Sequence, residues 1–189
     1  CRRFGKCRRR GPSLRRRLPR CAGASPAERA KEVKETVSNI DPTYFDQQIY
    51  ALYRAIWERW GDEAWYVVWR SGEVLFDQIE PELGLRPDDD PFTAMQRLAD
   101  YLQQVGYVDG IVVQALSDDE WDDVVRDPVI LPGAKRLIAQ GAVPAHISTS
   151  LMFALLKKRY RLGAEMIGDP KMRPDETAIE RWRLAPLKE

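Results

Sequence analysis

The chain has 189 residues, of which 44% are hydrophobic, enough to bury the core of one globular domain. Its net charge of +1 is divided unevenly, because ten of the 30 basic residues lie among the first 21 residues and the first acid is Glu28. The rest of the chain holds 20 basic and 29 acidic residues, so this body carries −9 and should repel nucleic acid. No apolar stretch of about 18 residues exists, so no transmembrane segment is expected.

Residues 1–24 are predicted to be a basic disordered tail or leader, and residues 25–189 a single α+β domain. The tail is rich in arginine and free of acids up to Ala27, a composition typical of organelle transit peptides. A functional basic arm is the alternative. The tail lacks the apolar core of a secretory signal, so secretion is not expected. The expected location is the cytoplasm, or an organelle stroma if residues 1–21 are a transit peptide.

The chain carries few of the side chains that build metal or thiol sites. Cys1, Cys7 and Cys21 all lie in the tail, and their spacing fits no zinc pattern. His146 is the only histidine, so a histidine-rich metal site is excluded. The motifs G-x-x-x-x-G-K-[ST], G-x-G-x-x-G, H-E-x-x-H and G-x-S-x-G are absent. We therefore predict no metal site and no cofactor.

Apolar periodicity and turn residues predict helices first, then strands and helices mixed. The helices are expected at 25–39, 42–60, 62–79, 90–102, 134–140 and 144–156, and the strands at 107–116, 121–125, 161–167 and 177–184. Asp62 is predicted to cap the third helix after Gly61 ends the second. Gly72 is expected where another backbone comes close. Pro132-Gly133 is expected to break the chain before a short helix.

The order of these elements shows no regular alternation of strand and helix. It indicates a helix-rich α+β fold, in which a helical layer packs on a small antiparallel or mixed sheet. In the last strand, Ala178, Trp182 and Leu184 should face one way, while Arg181 and Arg183 face the other.

Aromatic residues are dense in the second and third predicted helices. The set comprises Tyr44, Tyr50, Tyr53, Trp57, Trp60, Trp65, Tyr66 and Trp69. Their helical spacing makes core packing the default interpretation. Because tryptophan and tyrosine also carry polar edges, the set suits a cavity for a flat apolar ligand or a protein interface.

Two polar residues are weak catalytic candidates. His146 lies beside the hydroxyl residues 148–150 near a helix start, where it could act as a base, line a pocket or belong to the helix cap. Glu165 is either a buried carboxylate with a raised pKa or an exposed strand residue. The acidic stretch 118–123 lacks calcium-loop spacing, so it is predicted to be a solvated hairpin tip.

Four segments carry a resemblance to a known family. They are VVWRSGEVLFDQI, DPFTAMQRLADYLQQVGYVDGIVVQAL, HISTSLMFALLKKRYRLGAEM and TAIERWRL. From about Trp65 onward this pattern resembles the 4-vinyl reductase domain family. That family is similar in turn to ligand-sensor domains of aromatic-responsive regulators and to TRAPP subunits of vesicle tethers.

The resemblance implies a helical layer against a small twisted sheet that encloses a pocket for a small apolar molecule, often in a dimer. Many family members carry cysteines beside the glutamate that corresponds to Glu165 and in the closing strand. This sequence has no cysteine there, so any metal or thiol role of those cysteines is not expected here.

The leading functional hypothesis is a non-enzymatic binding module for a small hydrophobic or aromatic ligand, sensor-like or carrier-like. The predicted pocket residues are Trp65, Trp69, His146, Met152, Glu165 and Trp182. A protein-interaction or assembly factor, including a homodimer, is the second hypothesis. An enzyme acting on a hydrophobic or tetrapyrrole-like substrate, with His146 or Glu165 as acid or base, is the third.

Overall fold

The computed structural model describes residues 40–175 and 177–187. Its elements are α1 (Pro42–Trp60), α2 (Ala64–Ile79), α3 (Pro91–Gln104), β1 (Val108–Ala115), β2 (Glu120–Pro128), α4 (Leu131–Ala139), α5 (Ile147–Leu155), β3 (Leu162–Met166), β4 (Lys171–Met172) and β5 (Thr177–Pro186). The predicted α+β fold, with helices and a small antiparallel sheet, is confirmed. The predicted tail at 1–24 and the helix at 25–39 lie outside the described residues.

The ends of the first two helices are set by a side-chain cap, a glycine and a 3₁₀ turn. The Asp41 carboxylate accepts the Tyr44 N–H at 3.0 Å and so caps α1. Gly61 ends that helix with φ at +51°, a conformation that costs glycine little. The prediction that Asp62 caps the next helix is wrong. Residues 61–63 form a 3₁₀ turn, and α2 begins at Ala64 without a side-chain cap.

The helix α4 starts three residues earlier than predicted, because Pro132-Gly133 lies within its first turn rather than before it. Proline fits there since the first helical N–H groups need no partner inside the helix. The N–H of Gly133 instead donates to the buried carboxylate of Asp46 in α1 at 2.8 Å. A Cβ on Gly133 would meet that carboxylate at 2.5 Å, so the glycine permits α1 and α4 to dock.

The sheet has the order β1-β2-β5-β3, with β4 paired to β5, and every described pairing is antiparallel. The short strand β4 was missed because its sequence neighbourhood, GDPKMRPDE, is rich in turn residues. Cross-strand register places Trp121 opposite Trp182 and Asp123 opposite Glu180. These four side chains therefore share one face of the sheet.

The two faces of the sheet are chemically different. The inner face carries Trp121 and Trp182, both buried, and the helices pack on it. On the outer face, the two guanidinium nitrogens of Arg181 donate to the Asp122 carboxylate at 2.7 and 2.9 Å, and Arg183 pairs with Glu120. The alternation predicted for the last strand, with the arginines opposite Trp182, is confirmed.

Helices α2 and α5 are in close contact. A Cβ on Gly72 would lie 2.6 Å from the backbone of Ser150, so the prediction of a close backbone approach at Gly72 is confirmed. Helix α5 begins at Ile147, later than the predicted Pro144. It continues as a π-helical turn over Leu156–Tyr160. That turn carries basic side chains that pair with acids of α2 and of the turn that follows it. The pairs are Lys157 with Glu73, Lys158 with Asp77, and Arg159 with Glu80.

Strand β1 is an edge of the sheet, and α3 covers part of that edge. The side-chain oxygen of Gln96 accepts the backbone N–H of Val113 at 2.9 Å. An edge N–H that would otherwise be open to another strand is therefore occupied. Among the described residues, no helix is long and apolar enough to cross a membrane.

Candidate functional site

The first candidate site is an aromatic stack at the start of α2. Trp65 and Trp69 are one helical turn apart, and their rings stack with centroids 5.2 Å apart and planes 19° apart. His146, at the start of α5, packs against both rings with centroid distances of 5.3 and 6.3 Å. The contact follows from the close approach of α2 and α5, which brings both helix starts together.

The stack continues into the core as a chain of aromatic contacts. Phe153 of α5 packs on Trp69 at 5.1 Å and meets Trp182 edge-on at 5.5 Å and 89°. Trp182 then stacks at 6.5 Å with Trp121, which packs on Phe92 of α3 at 5.8 Å. Because each ring packs on the next, the outer tryptophans are held in position by the core.

The outward side of α2 continues this apolar surface into solvent. Trp65 is 37% exposed, Tyr66 is 73% exposed and Val74 is 48% exposed. Arg70 lies between the last two at helical spacing and is exposed. Trp65, Tyr66, Trp69, Arg70 and Val74 together are called here the α2 aromatic surface. Exposed apolar side chains therefore lie on the helical turns before and after Arg70.

His146 is held by rings rather than by a catalytic network. It is half-buried, and burial lowers the pKa of its imidazole, which favours the neutral form. The hydroxyl of Ser150 donates to the backbone oxygen of Ile147 at 3.0 Å, and Ser148 lies beside Tyr107. Within the part of the chain that the structure describes, no hydroxyl is hydrogen-bonded to the imidazole. The geometry therefore gives His146 no activated nucleophile.

The second candidate site lies on the other side of α5. A partly enclosed cavity of about 30 Å³ separates α3 and α5 from the inner face of the sheet. Its lining comprises Met95, Leu98, Ala99, Leu102, Ile111, Val113, Asp123, Val125, Ser148, Thr149, Met152 and Glu180. This volume accommodates about two water molecules. An aromatic ring or a tetrapyrrole does not fit the cavity in this conformation.

Two carboxyl groups form the floor of this cavity. Asp123 is 8% exposed, and burial together with the neighbouring Glu180 raises the pKa of its carboxyl to about 7. Burial also raises the pKa of Glu180. The indole N–H of Trp121 donates to Asp123 at 3.1 Å. The indole N–H of Trp182 is buried without a hydrogen bond of normal geometry. It lies beside Glu180, where it lowers the pKa of that carboxyl against the larger effect of burial.

The six predicted pocket residues fall in three places. Trp65, Trp69 and His146 come together, and Phe153 links them to Trp182. Met152 lines the cavity on the opposite side of α5. Glu165 is exposed on β3, across from Arg183 on the outer face. The structure thus brings four of the six into one aromatic chain and leaves Met152 and Glu165 outside it.

On the inner face of the sheet Asp123 is buried and Glu180 is half-buried, whereas Glu165 is exposed. The prediction of a solvated acidic hairpin holds at its exposed tip, Asp118-Asp119, and is wrong at Asp123. Alternation along the strand could have found this residue, because Asp123 is two residues from Trp121 and must share its face. Among the described residues, no group of three or more His, Cys, Asp or Glu side chains is placed to hold a metal ion.

Comparisons with known proteins assign this chain to no family. No family model matches the chain, so its resemblance to the 4-vinyl reductase domain family is unsupported. No curated protein matches it either. One solved structure that is similar is a trafficking protein particle complex subunit 3 from Naegleria fowleri, covalently bound to palmitic acid. It shares 12% identity over 86% of this chain and 92% of that chain, with a TM-score of 0.39, too low to support any functional argument.

Proposed function

We propose that the protein is an interaction module that docks a partner protein on the α2 aromatic surface. The observation that carries this proposal is the half-exposed Trp65–Trp69 stack, which the core holds in place through Phe153. Tryptophan, tyrosine and arginine supply most of the binding energy in protein interfaces. The α2 aromatic surface contains all three.

The rigidity of this surface favours binding. Each side chain that must be ordered on association costs about 0.5–1.5 kcal/mol. Trp65 and Trp69 are already ordered by their mutual stacking and by His146. Tyr66 has only two side-chain torsions to fix, so it adds a large contact area at low entropic cost.

The charges beside the stack suggest the chemistry of the partner. Asp62 and Glu63 are exposed immediately before Trp65. Arg70 already donates to Glu73 at 2.6 Å, so its charge is compensated within the chain. We therefore expect a docking segment with an apolar anchor for the tryptophans and basic residues facing Asp62 and Glu63.

Substitutions that leave the core intact test this function. Affinity capture from the source organism, with the wild-type chain as bait, should retain a partner that Tyr66→Ala and Val74→Asp lose. Val112→Asp is the matched control, since Val112 is 54% exposed on β1, away from α2. The captured protein is then purified and titrated directly, and each α2 variant should weaken its binding about tenfold or more.

Light scattering of the purified chain completes the test, because a dimer that Val74→Asp dissociates would identify the partner as a second copy. Equal affinity of the wild type and both α2 variants for every captured protein, together with a monomeric chain, would rule the proposal out.

The sequence-based hypothesis of an apolar ligand stays a prediction. Its six residues do not enclose one pocket, and the cavity beside Met152 has room for about two waters. The enzyme hypothesis also stays a prediction. Its two candidate residues do not share a site. His146 packs among aromatic rings, whereas Glu165 is exposed on β3.

A further inference from the structure

The cavity between α3, α5 and the sheet has an acidic floor. Asp123 and Glu180 lie at paired positions on β2 and β5, so their Cβ atoms are about 5 Å apart and both side chains point to the helices. Each carboxyl is accompanied by an indole from its own strand, Trp121 for Asp123 and Trp182 for Glu180. An N–H beside a carboxyl favours its ionised form.

Within residues 40–175 and 177–187, no basic side chain contributes to the pKa of either carboxyl. The groups that set the pKa of Asp123 are burial, two acids and the Trp121 indole, while those for Glu180 are burial and the Trp182 indole. Arg181 and Arg183 lie on the opposite face of the sheet, where they pair with other acids. When both are ionised, the buried Asp123 and the half-buried Glu180 repel each other and have lost part of their hydration, which is costly.

The rest of the lining has a mixed character. Ser148 and Thr149 at the start of α5 also line the cavity, and each carries a hydroxyl group. Met95, Leu98 and Met152 supply apolar walls. The Trp182 indole N–H is a donor, so it favours the charged form of Glu180 and does not itself bind a cation. A small cation with hydrogen-bond donors and an apolar end matches these walls and this floor.

We propose that this cavity binds the ammonium group of a small primary amine, with Asp123 and Glu180 as its charged partners and the hydroxyls of Ser148 and Thr149 as further acceptors. The volume of about 30 Å³ holds about two heavy atoms, the size of methylammonium. The proposal does not depend on the α2 aromatic surface, which lies on the other side of α5.

A divalent metal ion fits the same floor less well. Magnesium and calcium take six or more oxygen ligands, and calcium sites usually contain several carboxylates. Two carboxyls and two hydroxyls leave such an ion incompletely coordinated, and the remaining walls are methionine and aliphatic side chains. An ammonium group needs three acceptors, which this cavity can supply.

Thermal unfolding in phosphate buffer at pH 8 tests the proposal with methylammonium chloride as the probe. Sodium chloride at equal ionic strength is the reference. Methylammonium at ten times its dissociation constant should raise Tm by about 3 °C over sodium. Ethylammonium and propylammonium should give smaller shifts, because each added carbon must force α3 and α5 apart.

Isosteric variants locate the effect. Asp123→Asn and Glu180→Gln should each remove most of the methylammonium-dependent shift, whereas Glu165→Gln, an exposed acid on β3, should keep all of it. In a carbon-detected NMR titration, methylammonium should also lower the midpoint at which Asp123 ionises in the wild-type chain.

The proposal is overturned if methylammonium stabilises no better than sodium, or if Asp123→Asn and Glu180→Gln retain the full shift. It is equally overturned if magnesium chloride stabilises the chain and methylammonium does not, since the cavity would then be a metal site. Should one variant fail to fold, the NMR titration of the wild type decides alone, because an unchanged midpoint for Asp123 excludes binding.

Discussion

The two sides of α5 differ in a way that reverses the usual distribution of side chains. On one side, large aromatic residues, among them Trp65 and Tyr66, are left partly in solvent. On the other side, the buried carboxyl of Asp123 and the half-buried carboxyl of Glu180 line a partly enclosed cavity. Exposed aromatic clusters and buried acids are the departures from that distribution that most need an explanation. Each side is therefore a candidate site, and one helix separates an interaction surface from a cavity with a different chemistry.

The largest expected change in the free energy of unfolding comes from Asp123, on the cavity side of α5. The raised pKa of Asp123 means that the folded chain holds a proton that the unfolded chain releases near pH 4. The contribution of this carboxyl to the free energy of unfolding is fully present below about pH 4. It is lost as the pH rises through about 7. The loss amounts to roughly 4 kcal/mol. Asp123→Asn, which cannot ionise, should lack this loss.

Urea unfolding of both proteins at pH 4, 6 and 8 measures this difference. The titratable neighbour that faces Asp123 is Glu180 from β5, while α3 contributes apolar side chains and α5 contributes the hydroxyls of Ser148 and Thr149. Glu180→Gln should therefore reduce the pH dependence only in part. Parallel pH profiles for wild type and Asp123→Asn would show that Asp123 is an ordinary solvated acid.

The contact that joins α2 to α5 gives the next effect. Gly72→Ala places a methyl group 2.6 Å from the backbone of Ser150, so the helices must separate. We expect a loss of about 3 kcal/mol in the free energy of unfolding. Gly163→Ala is the control, because its nearest neighbour is 3.8 Å away. Similar losses in both variants would contradict the close packing.

Removing the ring of Phe153, which joins the α2 aromatic surface to the core, should lower the free energy of unfolding by a smaller amount. Phe153→Ala breaks the contacts of Trp69 and Trp182 with that ring and should cost about 2 kcal/mol, since Phe153 is only half-buried. Tryptophan fluorescence should shift to longer wavelength as water reaches the exposed rings. Phe153→Leu, which keeps most of the volume, should lose less stability and show little shift; an unchanged spectrum in Phe153→Ala would argue against a continuous aromatic chain.

The smallest effect on stability is expected at the outer surface. Tyr66→Ala removes a ring that is 73% exposed, so the free energy of unfolding should change by less than about 0.5 kcal/mol. The same substitution should weaken partner binding at least tenfold. Chemical unfolding and binding titrations on one preparation separate the two quantities. A large loss of stability in this variant would assign Tyr66 to the core.

Local patterns predicted most of the fold and only half of the site. Helical periodicity predicted α1 and α2, and Gly72 predicted a close contact between backbones. Each of these signals is contained in a few neighbouring residues. The acid cavity depends on which positions of β2 and β5 are paired. That pairing is long-range, so nothing near Glu180 alone reveals that Asp123 lies beside it.

The errors at the helix starts have a similar origin. Asp62 has the right chemistry for a cap, but the chain uses it in a 3₁₀ turn that redirects α2 after Gly61. The start of α4 depends on Asp46, which is 87 positions from Gly133 along the chain. Capping by a distant side chain leaves no trace in the local sequence, so Pro132-Gly133 appeared to be a break.

The hydrogen bond from Val113 to Gln96 has a consequence for how this chain can assemble or aggregate. A strand from another molecule that approaches β1 must first expel the amide of Gln96 before it can extend the ladder. Replacing Gln96 by alanine should therefore leave the Val113 N–H open to a strand of another molecule and favour growth of the sheet at β1.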